Sequence, residues 1–280
     1  MKKNHELVVF ENGRISLKDL ALGETMHSKI GPWEEAQAIY VEQSGLKNRL
    51  MMTGAQLVVF DIGLGLAANA LAALHCRQSL KDAGHTVRPL RIVSFENDLG
   101  GLELALESEA RFPFMNGFSE ILDELRKKGH WVSEDHQVRW DLWLGDFSGV
   151  LENHLGELGN PELIFYDFYS PKSQPSLWRV EFFSALKKIS APRARLVTYS
   201  AATSVRVAMM LAGFYVGRGL MTDAKLETTV AAICREDLLK PLGLEWMEKL
   251  RRSTKIVPFG ISEQERERVL LKVEKILGAL

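Results

Sequence analysis

The stretch Val58-Val59-Phe60-Asp61-Ile62-Gly63-Leu64-Gly65-Leu66-Ala67-Ala68-Asn69 decides how this chain folds. Leu57 to Phe60 is a short apolar run that reads as a buried strand, and an alanine-rich helical pattern runs from Leu66 to Lys81. Between them lies a Gly-x-Gly turn. A strand, a glycine turn and a helix in that order open a parallel α/β sheet, and the glycines let a ligand approach the backbone at the sheet's carboxyl edge.

The same alternation continues outward. Strands are expected at 91–95, where Arg91-Ile92-Val93-Ser94-Phe95 is largely apolar, and at 138–144, 162–167, 194–199, 214–218 and 227–233. Helical stretches fall near 100–110, 118–128, 148–156, 175–188 and 202–212. This is an α/β domain with a mainly parallel sheet. Upstream, Leu7 to Phe10 and Arg14 to Leu17 flank Asn12-Gly13, a two-residue hairpin turn with positive φ at both positions. Gly31-Pro32 then opens a helix over 33–44 that stops at Gly45. Downstream of Cys234 the chain is helical: Ser262 and Glu265 form a capping-box pattern, and Val269, Leu270, Val273, Ile276 and Leu277 recur at helical spacing. The expected division is a hairpin and helix over 1–50 packed on the core, the α/β core over 51–234, and a helical extension over 235–280.

Composition narrows the function classes. With 280 residues, the usual ~150 residues per domain allows one or two. Lys and Arg total 35 against 36 Asp and Glu, a net charge of −1 that excludes a strongly basic nucleic-acid binder but leaves room for a local patch. Two cysteines, Cys76 and Cys234, build no disulfide framework and point to a reducing compartment. The apolar run Leu7 to Phe10 is too short for a signal peptide, and Gly63 to Leu74 is well short of the ~20 residues that span a bilayer. A soluble cytoplasmic protein without a membrane span is expected.

Two cofactors compete for the glycine turn. Gly63-x-Gly65-x-x-Ala68 satisfies the dinucleotide fingerprint, so NAD is one reading. Asp61 speaks against it, because an acid two residues before the first glycine repels a pyrophosphate and suits the amino group of S-adenosylmethionine. The next strand-end acid, Glu96, is placed to accept hydrogen bonds from ribose hydroxyls. Asp146, after the strand ending in Leu144, is placed to receive an adenine amino group, and Asp167 reaches the same edge after Leu163-Ile164-Phe165-Tyr166. Four acids at four strand ends favour S-adenosylmethionine. No metal-ligand spacing is present.

Asp167-Phe168-Tyr169-Ser170-Pro171-Lys172-Ser173-Gln174-Pro175-Ser176-Leu177-Trp178 resembles the Asp-x-Phe-x-Pro…Asn-Pro-x-x-Trp motif of the MnmC-like methyltransferases. In the same order, Gly23 to Ser28 with Glu35 and Tyr40 resembles the family's amino-terminal signature, Asp61-x-Gly63-x-Gly65 with Asn69 its cofactor loop, and Ser94-Phe95-Glu96 its ribose strand. Thr198-Tyr199-Ser200-Ala201 with Val205-Arg206 resembles the closing strand and helix. The chain departs from the pattern at Phe168, Tyr169, Gln174 and Leu226, towards the acceptor end. The resemblance implies a Rossmann-like class I methyltransferase sheet with helices on both faces. It also implies a stand-alone form without a flavin oxidoreductase, and methyl transfer from S-adenosylmethionine to the 5-aminomethyl group of the tRNA wobble (thio)uridine.

On this reading Asp61, Gly63, Gly65, Asn69, Glu96 and Asp146 bind the cofactor, and Asp167 orients the amine and takes its proton. Tyr169, Pro171, Trp178 and Lys225 contact the acceptor, with Tyr169 or Trp178 stacking on the base. Arg206, Arg218, Lys225, Arg251, Arg252 and Lys255 are candidates for tRNA phosphates. Two other readings stay open: a methyltransferase acting on a different amine or small molecule, and a nucleotide-binding module without catalysis in which Phe168 blocks the acceptor pocket.

Overall fold

The computed structural model describes residues 4–27, 29–221 and 227–278. Eight strands form the central sheet: β4 (Leu57–Ile62), β5 (Leu90–Glu96), β6 (His130–Val132), β7 (Val138–Leu144), β8 (Leu163–Tyr166), β9 (Arg195–Thr198), β10 (Tyr215–Arg218) and β11 (Thr229–Ala232). Their order is β10-β11-β9-β8-β4-β5-β7-β6. Strands β7, β5, β4, β8 and β9 are parallel, β11 runs antiparallel between β9 and β10, and β6 is an antiparallel edge strand on β7. From β4 the chain winds outward through β5 and β7, then returns to β8 on the other side. The strand order therefore reverses beside β4, where open α/β sheets form their ligand crevice.

Side-chain alternation divides the core. Leu57 and Val59 of β4, with Leu163 and Phe165 of β8, join one buried cluster, whereas Phe60, Ile62, Ile164 and Tyr166 join another. The first is covered by helices Ala68–Asp82, Gly100–Glu107 and Ser119–Lys128 together with the segment Pro32–Met51. The second is covered by Phe147–Leu158, Val180–Ile189 and Thr203–Leu211. The tail helices Trp246–Arg252 and Arg266–Gly278 complete the second cluster through Trp246, Leu250, Val269, Val273 and Leu277, so their apolar spacing is a docking face. Among the described residues no helix is long and apolar enough to cross a membrane.

Local outcomes differ from the sequence reading in several places. The hairpin of β1 (His5–Val9) and β2 (Ile15–Asp19) turns through Phe10 to Arg14, and only Gly13 has positive φ (79°). The Gly13 N–H reaches the Phe10 carbonyl at 2.8 Å, a turn closed by one left-handed glycine instead of the two-residue turn expected. A third strand, β3 (Glu24–Thr25), pairs with β2. The expected helix over 33–44 begins as α-helix at Pro32–Glu35 and continues as a π-helix over Ala36–Gln43. Gly45 (φ 75°) ends it as expected, but a further helix, Leu46–Met51, follows. The Ser262 cap forms towards Gln264, while Glu265 pairs with Arg268, leaving the capping box half made. Strands β3 and β6 carry too few residues for their periodicity to be read.

Candidate active site

A cleft of about 970 Å³, counting its open mouth, lies over the carboxyl ends of β4, β5, β7 and β8. Its floor is the glycine turn. Gly63 has φ 92°, and a Cβ there would stand 2.6 Å from the Asp167 carbonyl oxygen; the loop and the β8 end approach each other only because position 63 is glycine. Gly65 (φ 52°) is different: a Cβ there would meet only Met26 Sδ, at 3.9 Å, so its missing side chain leaves open space. Ala67 is left-handed (φ 60°) at the start of helix Ala68–Asp82, a costly conformation for alanine held by the surrounding loop.

Glu96 leaves β5 onto the cleft wall. Its Oε2 accepts from Gly65 N–H at 3.0 Å, and Oε1 accepts from the N–H groups of Asn97 (2.8 Å) and Asp98 (3.3 Å). Burial raises its pKa, and these three donors oppose the rise. Asp146 caps helix Phe147–Leu158 by accepting from Gly149 N–H at 3.1 Å. Hydrogen bonds from Ser148 and Gly149 hold it below the usual carboxylate range, so it is an ionised wall residue. Asp167, at the end of β8, accepts from Asn69 Nδ2 at 2.8 Å; the Asn69 amide expected to serve the cofactor is already committed to Asp167 on its nitrogen.

Asp61 lies beneath the turn and is not on the cleft wall. It is fully buried: Oδ2 accepts from Ser94 Oγ at 2.7 Å, Ser94 Oγ in turn accepts from Trp140 Nε1 at 2.8 Å, and Oδ1 has no hydrogen-bond partner. Burial pushes its pKa up to about 7 against the lowering effect of the Ser94 bond.

One side of the cleft is built as much from the N-terminal sheet as from the end of β8. His5, Asp19, Glu24, Met26 and His27 all line the cleft. Glu24 accepts two 3.1 Å hydrogen bonds from Ser170, one from its N–H and one from its hydroxyl, tying the sheet to the loop that follows Asp167. Tyr199 closes the side, its hydroxyl donating to the Phe168 carbonyl at 3.0 Å. The sequence reading did not choose Asp19, Glu24 or Tyr199 as site residues. Glu24 and Tyr199 did stand in segments that resembled family signatures, which was the available signal.

The other expected contacts divide. Tyr169 lines the cleft, but Pro171 is not among its lining residues. Trp178 is 2% exposed, donates from Nε1 to the Tyr169 carbonyl at 2.9 Å and packs edge-on against Tyr166 and Tyr199. It is a core residue supporting the loop, and its face is closed to a base. Phe168 packs edge-on against Phe147 and Tyr166. Lys225 and Leu226 lie outside the described residues. Arg206 is fully buried, donating to Thr229 Oγ1, the Thr228 carbonyl and Glu227, so it cannot meet a phosphate. Arg251 and Arg252 are paired with Glu274 and Glu248 at 2.8 and 3.0 Å.

Six acidic residues line the cleft (Asp19, Glu24, Glu96, Asp98, Asp146 and Asp167) and, among the described residues, no Lys or Arg. Such a wall suits a sulfonium and an ammonium and repels a pyrophosphate, which separates S-adenosylmethionine from NAD. The open floor at Gly65, with Glu96 and Asp146 at successive strand ends, fits the same molecule. Among the described residues no group of three or more His, Cys, Asp or Glu could hold a metal.

The fold and the cleft define a class I S-adenosylmethionine-dependent methyltransferase. Residues 114–233 match the family described as S-adenosyl-L-methionine-dependent methyltransferase. The chain is 25% identical over 201 residues to the tRNA 5-methylaminomethyl-2-thiouridine biosynthesis bifunctional protein MnmC of Vibrio vulnificus, covering 67% of this chain and 29% of that one. To the protein of the same name from Aeromonas salmonicida it is 26% identical, covering 69% and 30%. The chain thus spans less than a third of the length of these two relatives. The crystal structure of MnmC2 from Aquifex aeolicus shares the fold with a TM-score of 0.72 at 24% identity, covering 97% of this chain and 85% of that one. The chain is an S-adenosylmethionine-dependent methyltransferase, similar over this span to the MnmC proteins.

Proposed function

We propose that the protein is an N-methyltransferase that acts in the cytoplasm on the 5-aminomethyl group of the tRNA wobble (thio)uridine. The observation that carries this reading is the acidic acceptor end, where Asp167, Asn69 and Glu24 meet beside the cofactor floor. When bound over Gly63 and Gly65, S-adenosylmethionine supplies an electrophilic methyl group. Glu96 and Asp146 are assigned to its ribose and adenine ends, and Asp61, beneath the turn, to the field that favours its ammonium. Asp167 accepts a proton from the acceptor ammonium, freeing the nitrogen lone pair that forms the new N–C bond as the methyl–sulfur bond breaks, its electron pair staying on sulfur and S-adenosylhomocysteine leaving as the neutral thioether. Asn69 holds that carboxylate in place, and confinement of both partners in one cleft supplies the proximity.

An acidic cleft admits a base and its aminomethyl arm while the phosphates stay outside, so the wobble nucleotide is turned out of its stack to react. Tyr169 is the aromatic wall it meets. The second reading, transfer to another amine, is favoured by the pairing of Arg251 and Arg252 with acids and the burial of Arg206, which leave less basic surface for RNA. Transfer of labelled methyl from S-adenosylmethionine to tRNA lacking the terminal methyl, beside free 5-aminomethyluridine and simple primary amines, separates the two. Transfer to the tRNA supports the first, and transfer to the simple amines alone supports the second.

A further inference from the structure

We propose that Glu24 is a positioning residue for Tyr169: its carboxylate and the Trp178 indole hold the peptide group after Tyr169 from opposite sides, fixing the ring as a wall of the cleft. The proposal deepens the reading of Tyr169 as the aromatic wall that the acceptor base meets, and rests on it. The peptide joining Tyr169 to Ser170 carries one carbonyl and one N–H. Its carbonyl accepts from Trp178 Nε1 at 2.9 Å, and its N–H donates to Glu24 Oε1 at 3.1 Å. The Ser170 hydroxyl donates to Glu24 Oε2, also at 3.1 Å. In a trans peptide the C=O and N–H point to opposite sides of the chain within one rigid plane, so turning that plane breaks both of its bonds together. The peptide before Tyr169 is held as well, because the Phe168 carbonyl accepts from the Tyr199 hydroxyl at 3.0 Å. Tyr169 thus lines the cleft between two fixed peptides, and the backbone that sets its Cβ direction and its rotamer is held on both sides.

The three side chains that hold these peptides come from distant parts of the chain. Trp178 is buried at the end of the short 3₁₀ helix Pro175–Trp178 and packs edge-on against Tyr199, which follows β9, with ring centroids 6.1 Å apart. Both belong to the α/β core. Glu24 comes from β3 of the N-terminal sheet, 146 positions from Ser170, and lines the same cleft as Tyr169. A carboxylate suits this place because its two oxygens accept at once from the N–H and the hydroxyl of one residue, and its charge strengthens both bonds. These two bonds go to the loop after Asp167, whereas the Gly65 N–H is held by Glu96. Losing them loosens the acceptor side and spares the cofactor floor.

The test is methyl transfer to undermethylated tRNA in a double-mutant cycle of Glu24→Ala and Tyr169→Ala. Glu24→Ala should lower kcat/KM for the tRNA about tenfold, with S-adenosylmethionine affinity by calorimetry within about twofold of wild type. In the Tyr169→Ala background the same substitution should change nothing further, since its effect passes through Tyr169. Additive losses overturn the proposal. Glu24→Gln keeps an accepting oxygen for the Ser170 N–H and a donor for its hydroxyl, so it should transfer methyl like wild type. A loss equal to that of Glu24→Ala would make Glu24 a charge acting on the acceptor itself, and also overturns it. Hydrogen exchange followed by NMR needs no acceptor. The Ser170 N–H should exchange slowly in the wild-type protein, and a freely exchanging one overturns the proposal without any variant. In folded Glu24→Ala both this N–H and the Trp178 indole N–H should exchange at least about tenfold faster, and an indole indifferent to Glu24 overturns it. Wild-type protein that transfers no methyl to tRNA defeats the reading of Tyr169 as the acceptor wall, while the exchange rates still decide whether Glu24 holds the peptide.

Discussion

Asn69 Nδ2 donates to Asp167 Oδ2 at 2.8 Å, joining two residues that are 98 positions apart in the chain. The first comes from the helix after the glycine turn, on the cleft floor, and the second from the end of β8, on the cleft wall. This bond couples the two halves of the cleft.

Asp167→Asn keeps the shape of the carboxyl and removes the base. Turnover on undermethylated tRNA should fall by about 10²–10⁴, the usual share of a positioned general base. Affinity for S-adenosylmethionine by calorimetry and the thermal midpoint should change little. Near-normal turnover would refute the assignment.

Asp61 gives a pH-dependent stability. Its carboxyl titrates near 3.8 when unfolded and about 7 when folded, so the folded state holds the proton more tightly. The stabilisation from that protonated form is complete below about pH 4 and is lost as pH rises through about 7. Asp61→Asn should therefore match wild type near pH 4 and exceed it by roughly 1–3 kcal/mol at pH 8 in denaturant unfolding. Equal stabilities at pH 8 would show that the buried carboxylate is solvated by the fold.

The two glycines of the turn should fail differently. Gly63→Ala places a Cβ 2.6 Å from the Asp167 carbonyl oxygen at φ 92°, so the loop must move; a loss of more than about 2 kcal/mol and of cofactor binding is expected. Gly65→Ala has room, with nothing nearer than 3.9 Å, and should cost about 1 kcal/mol for its left-handed backbone. Its methyl projects into the cleft, so cofactor affinity should still fall at least tenfold. Thermal denaturation and calorimetry on both variants check the contrast.

The basic residues of the tail should contribute little to RNA binding. Arg251 and Arg252 are each held by a glutamate, and replacing both with alanine should leave the salt slope of tRNA binding within one unit of wild type. Lys172 is exposed on the loop after Asp167 and has no acidic partner among the described residues. Lys172→Ala should flatten the slope by about one, the value for one phosphate contact. A flattening confined to the double arginine variant would place the RNA on the tail instead.

The α/β alternation, the strand runs over 57–60 and 138–144 and the glycine turn were legible because they are local: period-2 and period-3.6 patterns and left-handed glycines need no partner to be recognised. So were four acids at four strand ends, since parallel strands deliver all their carboxyl termini to one edge. Which of those acids faces the ligand was not legible. Asp61 and Asp167 leave the same face of the sheet, yet one is buried under the turn against Ser94 and the other opens into the cleft.

Tertiary structure alone decided the cleft wall that the N-terminal sheet contributes. Glu24 reaches Ser170, 146 residues away, only because the N-terminal sheet folds over the sheet edge, and no periodicity encodes that docking. The same holds for the basic residues. Arg206 and Arg251 read alike in sequence as cations near a phosphate-binding surface, but one is buried against Thr229 and Glu227 and the other is paired with Glu274. A charge in sequence states only its sign; its availability depends on burial and on the nearest opposite charge, and both are set by residues distant in the chain.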